Sequence, residues 1–178
     1  KNKSIFDIKD KFKDVKLGVS CDHYKEKLSW MRYPIDVNKF ESNLKEANSL
    51  IKQINCTVSL LNIFDLEEIY EYYSNNFDIH TSFQNIVRVP QILSIKNLNN
   101  NNKKIILKKY PNMKNKMDII INKNNDYSEL GTHFLDYITS EINKSPIDDK
   151  HKNFIKYCDD LSLHRNFDWK DLWTAQNF

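Results

Sequence analysis

The stretches VKLGVSC (residues 15–21), NCTVSLL (residues 55–61) and IHTSFQNIVRV (residues 79–89) decide the fold of this 178-residue chain. Each is short and largely apolar, and each predicts a buried strand. Segments with helical spacing separate them, so the order is strand, helix, strand, helix, strand. This alternation favours βαβ units with parallel pairing. Because the apolar residues run almost without interruption, we expect a sheet that is covered on both faces.

The segments between the strands contain two predicted helices and one predicted loop. Residues 36–54 carry apolar residues in steps of three and four, which predicts a helix with Asp36 as its N-cap. Asp65 begins a second, short helix. Residues 22–34 are polar and end at Pro34, which predicts a loop. The apolar face of the first helix consists of Val37, Phe40, Leu44, Ala47, Leu50, Ile51 and Ile54, and that of the second of Leu66, Ile69 and Tyr73.

The second half of the chain has a different character. Residues 97–103 read NLNNNNK, which predicts a low-complexity loop and a domain boundary. We therefore expect an α/β part over residues 1–96 and a mainly helical part over residues 97–178. Predicted helices lie near residues 103–109, 112–122, 128–144 and 148–164. Three strands are too few for a closed barrel of about eight, and the chain does not begin with Met, so we expect the latter part of a larger fold.

Composition excludes several classes of protein. Apolar residues make up 40% and aromatic residues 12%, so the chain is not intrinsically disordered. The net charge of +3 gives no argument for a nucleic-acid or membrane partner. The sequence contains neither a signal peptide nor an apolar run of about 20 residues that could span a bilayer.

The cysteines and histidines form no recognisable metal or disulfide pattern. Cys21, Cys56 and Cys158 are odd in number, widely spaced and without a CxxC pair, which excludes a disulfide framework and a zinc ribbon within this chain. A cytoplasmic location follows as an expectation. No HxH or HxxxH occurs, so no metal is assigned. A nucleophilic pair of Cys21 with His23 is conceivable from the sequence alone.

The turn after the first strand supplies the first candidate site. Ligands of parallel α/β folds bind beyond the carboxyl ends of the strands, where Ser20 and Asp22 lie. Their hydroxyl and carboxylate suit the hydroxyls of a ribose. Arg32 is one of three arginines beside 24 lysines, and its planar fork suits a carboxylate. The alternative is that Arg32 pairs with Asp22 or Glu26 and holds the loop.

The ends of the other two strands supply further candidates. Asn62 follows the second strand and could donate to a ligand, or it could simply be a turn residue. Arg88, Val89 and Pro90 end the third strand, and the last backbone groups before a proline could meet a ligand. Alternatively, Arg88 is a surface cation.

Residues 12–34, FKDVKLGVSCDHYKEKLSWMRYP, resemble the mid-barrel segment of radical S-adenosylmethionine (radical SAM) proteins. In that family a strand and a Ser-x-Asp turn are followed by a short helix and an Arg-Tyr-Pro sequence. The twelve-residue separation of Ser20 and Arg32 is typical of the branch with SPASM or twitch extensions.

Three later stretches resemble the family in the same order, so that the resemblance covers about residues 10–96 and 148–173. They are similar to the next strand and helix, the strand after it, and the closing helix of twitch-type members. These stretches are TVSLLNIFDLEEIYEYY (57–73), NIVRVPQILSIKNL (85–98) and FIKYCDDLSLHRNFDWKDL (154–172).

The resemblance implies a partial (β/α) barrel that binds S-adenosylmethionine. In the family, a [4Fe–4S] cluster on a CxxxCxxC loop cleaves this cofactor, and the resulting 5′-deoxyadenosyl radical abstracts hydrogen from a substrate. By position, Ser20 would contact the ribose or methionine moiety and Arg32 the methionine carboxylate. Asn62 would lie near the cofactor, and the backbone at Val89 would approach the adenine. An electron donor is also implied. The substrate is open, although members of this branch often modify peptides.

The sequence departs from the family in two ways, which leave two interpretations of the chain. The sequence contains no CxxxCxxC, and His23 stands where the family usually has glycine. Cys158 alone cannot hold an auxiliary cluster, which needs about four ligands. Either the chain is the C-terminal part of a longer enzyme whose cluster is held upstream, or it is a degenerate relative. In both cases we expect the chain alone to be inactive.

A rival hypothesis is a non-catalytic α/β binding module. Its helical half would present a lysine-rich interaction surface. It predicts salt-sensitive binding to a polyanion and no affinity for S-adenosylmethionine.

Overall fold

A three-stranded parallel sheet forms the centre of the computed structural model, which describes residue 6 and residues 9–109, 136, 138–165 and 167–173. The strands lie side by side in chain order, and both pairs are parallel. The predicted α/β class and parallel pairing are therefore confirmed. The strands are β1 (Leu17–Ser20), β2 (Ile51–Val58) and β3 (Thr81–Ile86).

Helices connect the strands and follow them. They are α1 (Lys25–Met31), α2 (Val37–Glu46), α3 (Leu66–Phe77), α4 (Lys150–Arg165) and α5 (Trp169–Leu172), and residues 100–109 and 138–142 are also helical. The Asp36 side chain accepts a hydrogen bond from the Lys39 amide at 3.0 Å, so the predicted N-cap of α2 is confirmed. The apolar face predicted after Asp65 is buried in α3.

Two predictions between the strands are wrong. The expected loop at residues 22–34 contains α1, which buries Leu28 and Trp30. The expected helix at 36–54 ends at Glu46, and its last residues belong to β2. Ile51 and Ile54 continue the helical spacing by coincidence, but strand pairing on both sides of β2 determines their conformation.

The predicted loop at 97–103 is also partly wrong. Residues 100–103 are helical, because the Asn99 side chain accepts a hydrogen bond from the Asn102 amide at 2.8 Å and caps that helix. The predicted helix at 112–122 and residues 128–135 of the next one lie outside the described residues. Beyond them, Ile138 and Ile142 are buried in the same core cluster as the strands.

The two faces of the sheet differ in character. Side chains alternate along each strand, so Val19, Ile54 and Val58 face the apolar core. The opposite face carries Ser20 on β1 and Asn85 on β3, and both are exposed. The expectation of a sheet covered on both faces is therefore wrong at these positions. Within the described ranges, no helix combines the length and apolarity that crossing a bilayer requires.

Candidate functional site

An ion pair joins the two ends of the first candidate segment. The Arg32 guanidinium donates from Nε and Nη2 to Asp22 Oδ2, at 2.9 and 2.8 Å. The other oxygen, Asp22 Oδ1, accepts from the backbone amide of Thr57 at 2.9 Å. The Asp22 carboxylate thus links the turn after β1, the end of α1 and the end of β2. The alternative that Arg32 pairs with Asp22 is the arrangement present in the structure.

Asn62 holds the carboxyl ends of β1 and β2 together. Its Nδ2 donates to the carbonyl oxygens of Asp22 and Thr57, both at 2.9 Å. Its Oδ1 accepts from the Ser59 amide at 2.8 Å. The side chain is almost fully buried. Asn62 therefore acts as a turn residue with partners on both strands, and its amide is occupied by protein groups.

The Cys21 thiol does not face the His23 ring. Its Sγ donates to the His23 backbone carbonyl at 2.9 Å and lies 2.8 Å from the Tyr73 hydroxyl. Burial raises the pKa of the Cys21 thiol to about 11. A thiol that is buried and protonated at neutral pH is a poor nucleophile, so this geometry gives no support to a Cys21–His23 pair.

The His23 ring instead links the turn after β1 to the start of α3. Nε2 lies 2.9 Å from Asp65 Oδ2, and Nδ1 accepts from the Tyr24 amide at 3.0 Å. This pattern assigns the ring proton to Nε2. Burial lowers the pKa of His23. Burial opposes ionisation of Asp65, but hydrogen bonds from His23 and Lys27 outweigh it and lower the Asp65 pKa. A neutral imidazole therefore donates to a charged carboxylate.

A row of polar residues on the open face of the sheet extends the site. Cα register places Ser20 beside Asn55, and Thr57 lies beside Asn85. Gln53 Nε2 donates to Asn55 Oδ1 at 2.6 Å. We call these five residues the polar face. Sequence analysis missed four of them, although polar residues alternate with apolar ones from 53 to 58. It placed Gln53 in the predicted helix, and it placed the other three in strands that were expected to be buried on both faces.

Gly18 allows the Asn55 side chain to lie across β1. A Cβ atom at position 18 would stand 2.8 Å from Asn55 Nδ2, closer than Cβ atoms in proteins normally approach other atoms. Any larger residue at position 18 would therefore displace the Asn55 amide. Gly18 is one of two glycines in the chain. A glycine is required at this position of the strand because the Asn55 side chain approaches the backbone closely.

A small cavity lies between the carboxyl ends of the strands and α4. Its volume is about 130 Å³, which is below the roughly 300 Å³ at which pockets for small-molecule ligands begin. A whole nucleoside therefore does not fit inside it. The lining residues include Asp22, Thr57 and Ser59 from the strand ends, Val87 after β3, and Tyr157 from α4.

The end of α4 closes this cavity against α1. The Arg165 guanidinium lies over the Trp30 ring, 4.7 Å from its centroid, and donates to the Trp30 carbonyl. Trp30 Nε1 donates in turn to Ser162 Oγ at 3.2 Å. Trp30 is thus fixed to α4 by contacts at its ring, its indole nitrogen and its backbone.

The residues after β3 form the last candidate segment. The Val89–Pro90 bond is cis, and Val89 is 86% exposed. The structure therefore brings Asp22, Arg32 and Asn62 together, and it places Ser20 on the open face of the sheet beside them. Val89 stands on the surface beyond β3.

The chemistry of the described residues does not fit an iron–sulfur cluster. The structure groups no three His, Cys, Asp or Glu side chains from the described part of the chain where they could hold a metal ion. Cys21, Cys56 and Cys158 are all buried, and burial raises the pKa of each, to about 12 for Cys158. Metal binding needs thiolates, so these thiols make poor cluster ligands.

Comparison with known proteins identifies no relative. A scan against protein-family models, a search of curated proteins and a search of solved structures each gave no match to this chain. The function is therefore inferred from the residues and their geometry.

Proposed function

We propose that this chain forms part of a radical SAM-type half barrel and binds S-adenosylmethionine on the polar face of its sheet. The iron–sulfur cluster would be held by residues outside this chain, since the thiols here are unsuited to it. The main supporting observation is a parallel βαβαβ sheet whose open face bears Ser20 and Asn85 near the carboxyl ends of β1 and β3, with Asn55 beside Ser20 on β2. Ligands of such folds bind at this end of the sheet. Free, buried thiols agree with a cytoplasmic location.

The polar face offers the groups that a nucleoside needs. The Ser20 hydroxyl and the amides of Asn55 and Asn85 can donate to and accept from ribose hydroxyls and base edges. The face is open, so it can hold a ligand that the cavity of about 130 Å³ cannot enclose. An open polar sheet face is also what a half barrel would turn toward its ligand.

Arg32 has a double role in this proposal. Two of its nitrogens bind Asp22, yet its side chain remains 36% exposed. The exposed part of the fork could meet the carboxylate of the methionine moiety, while Asp22 fixes its orientation. Asn62 supports the site by linking the carboxyl ends of β1 and β2, and it would not touch the cofactor.

The second candidate is the non-catalytic binding module. The satisfied hydrogen bonds of Asp22, Arg32 and Asn62 favour it, because groups that bind one another have less capacity for a ligand. On this view Asp22, Arg32 and Asn62 stabilise the fold and do not bind a ligand.

Equilibrium dialysis of the full chain with labelled S-adenosylmethionine separates the two. The enzyme proposal predicts saturable binding that Ser20→Ala weakens about fivefold, the worth of one hydrogen bond. Ser49→Ala removes an exposed hydroxyl from the turn before β2 and is the matched control. Binding that Ser20→Ala leaves unchanged contradicts the proposed site. Absence of saturable binding, together with salt-sensitive binding to heparin, supports the module.

A further inference from the structure

Residues of α1, α2 and α3 line a second cavity. Its volume is about 540 Å³, within the range of roughly 300–1,000 Å³ that is typical of small-molecule sites. Four separate stretches of the chain contribute to the lining, namely residues 25–29, residues 35–41, Tyr72 of α3 and Phe167. The described lining shares no residue with the polar face, so this cavity is separate from the proposed cofactor site.

The lining carries an excess of negative charge. Its acidic residues are Glu26, Asp36 and Glu41, and the described lining contains one lysine, Lys25. The net formal charge of these four residues is therefore −2. The chain as a whole has a net charge of +3, so the cavity departs from the composition of the chain. A negatively charged cavity favours a cationic ligand.

The carboxylates of the lining accept hydrogen bonds from neutral groups or are exposed. Glu41 Oε1 accepts from the Tyr72 hydroxyl at 2.5 Å. Burial and the adjacent Glu41 carboxylate raise the pKa of the Tyr72 phenol, so the phenol keeps its proton at neutral pH. Asp36 accepts from a backbone amide, and Glu26 is exposed. Because these hydrogen-bond donors are neutral, the negative charges remain available to a cation.

Aromatic and aliphatic side chains contribute to the wall. The Lys25 ammonium lies 5.7 Å from the centroid of the Tyr72 ring, so this ring already contacts an ammonium group. Phe167 adds a second ring to the lining and is 38% exposed. Ile35 and Val37 are half-buried and supply apolar surface. An alkyl chain that carries ammonium groups matches this combination of side chains.

Contacts between the helices fix the walls before a ligand binds. Tyr24, the residue before α1, stacks on Tyr72 with 4.5 Å between the ring centroids and 15° between the planes. Tyr72 donates in turn to Glu41 of α2. The three helices are thus joined around the cavity. Preorganised walls lower the entropic cost of binding.

We propose that this cavity binds a small aliphatic polyamine. Its ammonium groups pair with Glu26 and Glu41 and lie against the rings of Tyr72 and Phe167, while its methylene chain contacts the apolar wall. Alkylammonium groups resemble that of lysine, with a pKa of about 10.4, and are charged at neutral pH. Lys25 occupies part of the same wall and competes with the ligand. This inference does not depend on the binding of S-adenosylmethionine.

Calorimetric titration of the full chain with spermidine at fixed ionic strength tests this site. Saturable binding with one site per chain is expected, and Glu26→Gln weakens it about fivefold because one ion pair is lost. Glu46→Gln removes a negative charge from an exposed position of α2 outside the lining and is the matched control. That variant binds spermidine as the parent does. Butylamine, which has a single ammonium group, binds more weakly than spermidine.

Lys25→Gln gives an independent readout of opposite sign. It removes the competing ammonium from the Tyr72 ring, so spermidine binds severalfold more tightly. Lys108→Gln removes a positive charge from an exposed position of the helical residues 100–109 and leaves the affinity unchanged. Thermal unfolding followed by circular dichroism checks that each variant is folded, and Glu26→Gln carries the test if Lys25→Gln is not.

Three results overturn the proposal. They are no saturable binding of spermidine by the parent chain, equal affinities of Glu26→Gln and Glu46→Gln, and displacement of spermidine by Mg²⁺ at an equal concentration of charge. The last result would show that the cavity attracts cations without recognising an amine. Binding of an oligolysine peptide in place of spermidine overturns the proposal as well.

Discussion

Arg32 and Asp22 form a two-bond ion pair, with Nε and Nη2 of the guanidinium 2.9 and 2.8 Å from the same carboxylate oxygen. The other oxygen of Asp22 accepts from the Thr57 amide. The pair therefore connects α1 to the end of β2 through the turn after β1. Ser20, on the polar face, stands two residues before Asp22, so the ion pair also fixes the rim of the proposed ligand site.

Arg32→Ala is expected to destabilise the fold by about 1–2 kcal/mol, between the values typical of exposed and of buried ion pairs. The loss arises because the partly buried Asp22 carboxylate keeps its charge and loses its partner. Urea denaturation measures it. Arg32→Lys keeps the positive charge but loses the planar fork, so its free energy of unfolding should lie between those of the parent chain and Arg32→Ala. Lys39→Ala, at an exposed position of α2, is the control. A free energy of unfolding equal to that of the parent would show that the pair contributes nothing.

Asn62→Asp should destabilise the chain more strongly, by about 2–4 kcal/mol. The substitution is nearly isosteric, but it replaces a buried donor with an oxygen that faces the carbonyls of Asp22 and Thr57. Asn75→Asp makes the same chemical change at an exposed position of α3 and should have little effect. Urea denaturation curves of equal midpoint for the two variants would refute the role of Asn62 as a link between strands.

Stability should fall on acidification in two windows. Burial lowers the folded-state pKa values of His23 and His80 below the 6.5 of an unperturbed histidine. The unfolded chain therefore binds protons more readily than the folded chain. The contribution of these histidines to stability is fully present above pH 6.5 and is lost as the pH falls below that value. Each histidine contributes at most about 1.4 kcal/mol per pH unit. The lowered pKa of Asp65 adds a second loss that begins below its unfolded value of 3.8.

Melting temperatures between pH 7 and pH 5 test the histidine window. His23→Gln can still donate to Asp65, and its stability should depend less on pH than that of the parent chain. His151→Gln, at an exposed position of α4, should retain the full dependence. A pH profile of His23→Gln that runs parallel to the parent's would argue against a buried neutral imidazole.

Ser162→Ala tests the contact between α4 and Trp30 of α1. Its Oγ accepts from Trp30 Nε1 at 3.2 Å and from the Trp169 amide at 3.1 Å. Without the hydroxyl, these two donors lose an acceptor, which should cost about 1–3 kcal/mol in chemical denaturation. Leu163→Ala, one residue further along α4 and 80% exposed, should change stability by less than about 0.5 kcal/mol. Equal effects of the two substitutions would contradict this account.

Local patterns predicted those parts of the fold that depend on neighbours in the chain. The strands, the Asp36 cap and the buried face of α3 are of this kind. The end of α2 was wrong because Ile51 and Ile54 satisfy both helical and strand spacing, and only pairing with β1 and β3 decides between them. The segment that forms α1 buries only Leu28 and Trp30, too few for a visible periodicity.

The candidate site was only partly predictable, because some of its contacts join residues that are close in the sequence and others join distant residues. The Arg32–Asp22 pair spans ten residues and was foreseen as an alternative. The role of Asn62 depends on Asp22, 40 residues away, and sequence alone does not show that contact. The polar face depends on the pairing of Ser20 with Asn55 and of Thr57 with Asn85, which the register of the strands determines.

Titration of the ¹⁵N-labelled full chain with S-adenosylmethionine, followed by NMR, tests the central claim most directly. The Ser20 backbone amide and the side-chain amides of Asn55 and Asn85 should shift together and saturably. The backbone amide of Asn75, at an exposed position of α3, should not move. No saturable shift at these three residues, or shifts confined to other parts of the chain, would contradict a cofactor site on the polar face.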